Sequence, residues 1–148
     1  MMKRLMVGVL GVVALVAAGC ARMESDGMMG KKSLYDRLGG KPAITAVVDD
    51  FIGNVAGDNR INRRFAGANI PRLKTMLVDQ VCEATAGPCK YSGQNMLDAH
   101  RGMNITDAEF TALVEDLVKS LDKFKVPAQE KTELLTALGG LKPQIVGK

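Results

Sequence analysis

Tyr91-Ser92-Gly93-Gln94-Asn95-Met96-Leu97-Asp98-Ala99-His100-Arg101-Gly102 carries the only histidine of the chain. Tyr91-Ser92-Gly93 leaves a loop, and Gly102 interrupts the segment at its other end. Between them Met96, Leu97 and His100 fall on one side of a short helical piece, because residues three and four apart share a helix face. Just downstream, Thr106-Asp107-Ala108-Glu109 is a capping box that opens a long helix. Its inward face is predicted to hold Phe110, Leu113, Val114, Leu117, Leu121 and Phe124. Pro127 opens a last helix carrying Leu134, Leu135, Leu138 and Leu141.

The same periodicity runs upstream. Ser33 caps a helical turn with Leu34, Tyr35 and Leu38, with Asp36 placed to return the cap, and Gly39-Gly40 stops it. Pro42 is predicted to start the next helix, whose stripe is Ile44, Val47, Val48, Phe51, Ile52 and Val55, ending at Gly57-Asp58-Asn59. A short connection through Ile61 and Phe65 reaches Asn69, the predicted cap of a helix entered through Pro71. Its stripe reads Leu73, Met76, Leu77, Gln80, Val81 and Ala84, and Ala86-Gly87-Pro88 closes it. No segment alternates with a period of two, and no repeat or low-complexity run is present. The expected fold class is all-α, in one domain over residues 33–148.

The chain begins differently. Lys3 and Arg4 precede fourteen uncharged, mostly apolar residues from Leu5 to Ala18, then Gly19 and Cys20. Fourteen is too few to span a bilayer as a helix, which takes about 20 apolar residues. A basic start, a short apolar core and small residues before a cut site form an export signal over residues 1–19. Ala17-Ala18-Gly19-Cys20 resembles a bacterial lipobox, with Cys20 acylated as the mature N-terminus, although Ala17 stands where leucine is commoner. An uncleaved helical anchor is the other reading of the same run. Residues 20–32 lack periodicity and read as a flexible tether, placing the domain in the bacterial cell envelope, facing the periplasm on a lipid anchor. Loss of residues 1–19 removes Lys3 and Arg4, so the net charge of +4 falls to +2. The remaining basic residues form no stripe, and this argues against nucleic acid.

Cys82 and Cys89 flank a Gly87-Pro88 turn. An exported chain can keep such a pair as a disulfide; two reduced thiols, one buried at a helix end, are the alternative. Without Cys-x-x-Cys-His there is no covalent c-type haem site, and one histidine supplies no zinc set. No nucleophile–base pairing is readable beyond what His100 alone could serve. Asp49-Asp50 and Glu115-Asp116 are expected on solvated helix faces.

Taken in order, Tyr35-Asp36-Arg37-Leu38-Gly39-Gly40, Asp50-Phe51, Phe65-Ala66-Gly67, Arg72-Leu73, Tyr91-Ser92-Gly93, Met96, Ala99-His100-Arg101-Gly102 and Ile105-Thr106 resemble the group I truncated haemoglobins. The likeness runs from about Leu34 to Ile145, nearly the whole domain. It implies a two-over-two helical sandwich around non-covalent haem b. On that resemblance His100 is the iron's proximal ligand, Phe65 packs on the porphyrin face, and Met96 contacts the haem from one turn before His100. Apolar walls are expected from Phe51, Ile52, Leu73, Leu77, Leu113 and Leu117 together with Met96, and Arg72 and Lys74 are placed as cations for the propionates.

The sequence departs from the family on the distal side. A tyrosine usually follows the phenylalanine matching Phe51, and Ile52 stands there instead; Leu77 stands where glutamine is common, and Leu73 offers no donor. Hydrogen bonds from such donors retain O₂, so their loss implies weak retention and an iron that oxidises readily. The pocket also lacks the polar residues that nitric oxide dioxygenation or a peroxidase-like reaction would use, which implies a binder more than an enzyme. Met76 occupies a position where some relatives carry a histidine that closes onto the iron. A thioether there would be a sixth ligand and, with histidine, raises the reduction potential; otherwise Met76 fills the core. Lys74 competes more weakly for that position. Three functions follow as expectations: binding of O₂, nitric oxide or CO; one-electron transfer to a redox partner protein through a Met76-closed iron; or a cofactor-free helical lipoprotein holding an envelope partner.

Overall fold

The computed structural model describes residues 31–148; the expected export signal, Cys20 and the expected tether as far as residue 30 lie outside the described residues. Six α-helices follow: α1 Leu34–Leu38, α2 Gly40–Gly57, α3 Ile70–Ala84, α4 Met96–His100, α5 Asp107–Lys123 and α6 Ala128–Gly139. Single 3₁₀ turns lie at Asn62–Phe65 and Lys142–Gln144. Among the described residues there is no strand, only an isolated parallel bridge between Ile105 and Val146. None of the described helices is long and apolar enough to cross a membrane.

The caps behave as their residue types dictate. Ser33 Oγ accepts from the Asp36 amide at 3.1 Å and donates to the Asp36 carboxylate at 2.7 Å. Thr106 and Glu109 exchange bonds reciprocally: the Glu109 amide reaches Thr106 Oγ1 and the Thr106 amide reaches Glu109 Oε2. Helix α2 starts two residues before the predicted Pro42. Gly39, at φ 95°, both ends α1 and precedes α2, so a single left-handed residue turns the chain and helix resumes at once.

The long helix α2 is the spine. It packs against both α3 and α5, α5 meets α6, and α1 bridges α2 to α6. Its predicted stripe is buried at Ile44, Val48, Phe51, Ile52 and Val55. On α3 the fully buried row is Val78 and Cys82, continued by Thr85, while Leu73, Leu77 and Val81 pack half-buried against the same core. Ala84, expected inward, is exposed. The row facing α2 is therefore turned by about one residue from the predicted stripe, because Val78 and Cys82 are four apart and stack along one ridge.

Two further expectations are corrected. Leu97 is 42% and Phe124 43% exposed. Leu97 lies on the solvent flank of a helix only five residues long, and Phe124 stands at the C-cap of α5, where the helical register has ended. The acidic pairs also differ. Asp116 is wholly buried, and Asp50 shares a network with Asn54 and Ser120 between α2 and α5. Ala112, Asp116 and Ser120 present a small, polar face, so α5 can lie close to α2 there and enclose it. Lys119 and Lys123 reach in from solvent to Asp116 and Asp50.

Candidate functional site

Helix α4 ends on His100. Its ring Nδ1 lies 2.8 Å from the carbonyl oxygen of Met96, one turn earlier. A carbonyl can only accept, so Nδ1 carries a proton, and in the neutral ring Nε2 is then the nitrogen with the lone pair. Among the described residues nothing bonds Nε2. His100 lines a pocket of about 80 Å³ shared with Ile61, Phe65, Met103, Ile105, Phe110, Leu113 and Ile145, with Arg64 and Glu109 at its polar edge. Four separate parts of the chain thus line the pocket with His100: the 3₁₀ turn at Asn62–Phe65, the loop after α4, the first turns of α5 and the C-terminal segment.

Phe65, Ile61 and Leu113 belong both to this pocket and to the apolar cluster built on α2. That cluster contains Phe51 and Ile52, with Leu73, Leu77 and Leu117 packed against it. The structure therefore joins six of the expected wall residues into one apolar body that meets the His100 pocket through Phe65 and Leu113. The rest of the expected set lies apart. Arg72 is exposed, and its amide is used by the Asn69 cap at 3.0 Å. Lys74 Nζ stands 2.8 Å from Asp49 Oδ1, which matches its charge. Met76 is half-buried on α3, outside that cluster and the His100 pocket. Met96 is half-buried, with its sulfur accepting a bond from Gln80 Nε2 at 3.4 Å.

Sequence reading missed Arg64, Met103, Glu109 and Ile145 as pocket residues, and named Ile61, Ile105 and Phe110 without assigning them to the site. The capping box placed Glu109 on the first turn of α5, and Arg64 adjoins Phe65; neither signal said that the two meet. They do: Arg64 Nε and Nη2 donate to the two Glu109 oxygens at 2.7 and 3.0 Å. That guanidinium holds the Glu109 carboxyl down to about 2. Cys82 and Cys89 are joined by a disulfide with Cα atoms 5.7 Å apart. The bridge ties the end of α3 to the loop that leads into α4.

Haem suits these residues. A neutral imidazole with its Nδ1 proton given to a carbonyl presents the nitrogen that iron takes, and the macrocycle needs apolar walls of the kind assembled here. A family model for bacterial-like globins matches residues 33–146. The group 1 truncated haemoglobin GlbN of Mycolicibacterium paratuberculosis is 35% identical over 113 residues, which cover 76% of this chain and 83% of that relative. The corresponding GlbN of a Nostoc species is 30% identical over 116 residues, covering 78% and 98%. Among solved structures, the truncated haemoglobin of Tetrahymena pyriformis in its Fe(III) form superposes with a TM-score of 0.76 at 28% identity, covering 79% of this chain and 100% of that one. With apolar walls, a histidine at the pocket and a helical fold that matches a solved truncated haemoglobin in agreement, the chain belongs to the bacterial-like globins, as a group 1 truncated haemoglobin that binds non-covalent haem b and a small ligand.

Proposed function

We propose that His100 Nε2 is the protein's ligand to the haem iron and that the protein binds a small diatomic gas, O₂ or nitric oxide, against an apolar distal wall. The observation that carries this reading is the Nδ1–H bond to the Met96 carbonyl, which fixes the tautomer and orients the ring at the edge of an apolar pocket. Haem supplies an iron with a position open to a diatomic ligand. The chain supplies the rest. Phe65 and Leu113 exclude water beside His100, and Ile52, Leu73 and Leu77 add apolar surface without a hydrogen-bond donor. Arg72, exposed near the start of α3, is the cation offered to the propionates. The basic start, the short apolar run and Ala17-Ala18-Gly19-Cys20 support a further part of the proposal, an exported, acylated protein held at the bacterial envelope.

Absorption spectra of the purified protein test the core of this reading. His100→Gly should lose haem, or bind it only when free imidazole fills the space. A variant that keeps full haem and an unchanged Soret band without imidazole would overturn the assignment. The gas-free ferrous spectrum decides about Met76. A five-coordinate, high-spin form unchanged in Met76→Ala supports the gas binder, whereas a six-coordinate form lost in Met76→Ala supports electron transfer. Labelled palmitate entering the wild type but not Cys20→Ser tests the anchor.

A further inference from the structure

Arg64 does more than join two charged groups across the surface. Besides its fork onto Glu109, its Nη1 donates to the carbonyl oxygen of Met103 at 2.8 Å. The Met103 amide in turn donates to the carbonyl oxygen of His100 at 3.0 Å. Glu109 is itself fixed, because its Oε2 accepts from both the amide and the hydroxyl of Thr106, at 2.9 and 3.0 Å. One guanidinium therefore links the residue next to Phe65, the capping box of α5 and the loop that leaves His100. Arg64, Phe65, His100, Met103 and Glu109 all line the same pocket.

The loop needs such a hold. α4 has five residues, too few to be stable by themselves. After it Gly102 and Asn104 take φ values of 79° and 48°, so the chain turns sharply twice within three residues. Beyond that turn, Asn104 and Ile105 are pinned to the C-terminal segment. On the side toward Phe65, Met103 is pinned by Arg64. Bidentate Arg–carboxylate pairs fix direction as well as distance, which a single point charge does not.

We propose that Arg64, acting through Glu109 and the Met103 carbonyl, is the positioning residue that sets the His100 imidazole relative to Phe65. This rests on the reading of His100 as iron ligand. It predicts that breaking the fork changes the iron–imidazole bond itself, and not only the stability of the fold.

The test uses the haem-loaded protein as Arg64→Gln, Arg64→Lys, Glu109→Gln and, as a control, Arg60→Gln. Arg60 pairs with Asp58 and Glu115 outside this pocket, so its loss removes a comparable ion pair with no connection to the His100 loop. Two readouts are the iron–histidine stretching band of the ferrous protein by resonance Raman and the rate of haem transfer to an excess of apomyoglobin. Arg64→Gln should shift and broaden the band and speed haem loss about tenfold, as expected for loss of a charge-assisted contact. Glu109→Gln should act in the same direction, and Arg64→Lys should recover part of the effect. An unmoved band in both Arg64→Gln and Glu109→Gln, or an equal shift in Arg60→Gln, overturns the proposal while leaving His100 as ligand. Absence of an iron–histidine band from the five-coordinate ferrous form, read in the wild type or, where that is six-coordinate, in Met76→Ala, overturns both readings.

Discussion

His100 stood out as the candidate because a chain with one histidine, set after Met96 and Ala99 and before Gly102, offers one imidazole, and the structure places it on a pocket with Phe65 and Leu113. Ile52, Leu73 and Leu77 stood out for the opposite reason, the absence of any donor among them, and the structure packs all three into one apolar cluster. Arg64 and Glu109 were not, because partners 45 positions apart carry no periodic signal and meet only once the chain has folded. The distal side offers a direct measurement. A neutral hydrogen bond contributes about 0.5–1.5 kcal/mol net, which corresponds to a roughly two- to tenfold change in a dissociation rate. Leu77 is half-buried and close to glutamine in length, so Leu77→Gln should place a donor there with little repacking. Stopped-flow loss of O₂ from the ferrous variant should be slower by that factor. Ile52 is only 7% exposed within the core, so Ile52→Tyr must displace its neighbours and should cost stability as well. If neither variant slows O₂ loss, those side chains do not face the ligand.

At the scale of elements, the 3.6-residue period and the caps marked every helix of more than one turn, since burial and capping are local and leave their pattern in order along the chain. The α2–α5 contact shows where that signal ends. Asp50 and Asp116 read as outward because they are charged, yet Asp50 bonds Asn54 and Ser120, the Asp116 backbone carbonyl accepts from Asn54, and only the packing of α5 on α2 encloses them. The end of α3 shows the same dependence on tertiary contact. Cys82 is buried and bonded to Cys89 across a separation of seven residues, and the Tyr35 amide donates to the Thr85 carbonyl beside it at 2.9 Å. Gly87 is essential to that clasp: a Cβ there would stand 2.5 Å from the Tyr35 ring and 2.7 Å from Cys82 Sγ. Closing so short a loop stabilises by about 2–2.5 kcal/mol in the chain-entropy view. Replacing both Cys82 and Cys89 with serine should lower the urea midpoint accordingly, and a reductant should do the same to the wild type only. A midpoint equal in both proteins, reduced or not, would show that the clasp holds through Tyr35 and Gly87 alone.

Across the whole molecule, ion pairs to carboxylates hold the helices together. Arg37 ties α1 to Glu130 and Glu133 of α6, Arg60 ties the turn after α2 to Glu115 of α5, and Lys123 ties α5 to Asp50 of α2. Arg64 adds the 3₁₀ turn to α5 through Glu109. Hydrogen bonds from the arginines hold Asp58 and Glu109 down to about 2 and lower Glu133, and the Lys123 bond lowers Asp50. A carboxyl whose value is lower in the folded than in the unfolded chain stabilises the fold above its unfolded value, and that contribution is lost as pH falls toward its folded value. Ordinary values here are 3.8 for Asp and 4.5 for Glu, so thermal stability should be insensitive to these groups above about pH 5 and decline from about pH 4.5 toward 2. Glu109→Gln cannot take up that proton. Its melting temperature, followed by far-ultraviolet circular dichroism, should be lower than wild type at pH 7, and the gap should narrow as the pH approaches 2. Parallel curves for the two proteins over that window would mean that Glu109 is equally acidic in the unfolded chain, and that its fork with Arg64 adds nothing to the fold. Any effect of Arg64 on haem retention at pH 7 would then have to come from its bond to the Met103 carbonyl alone.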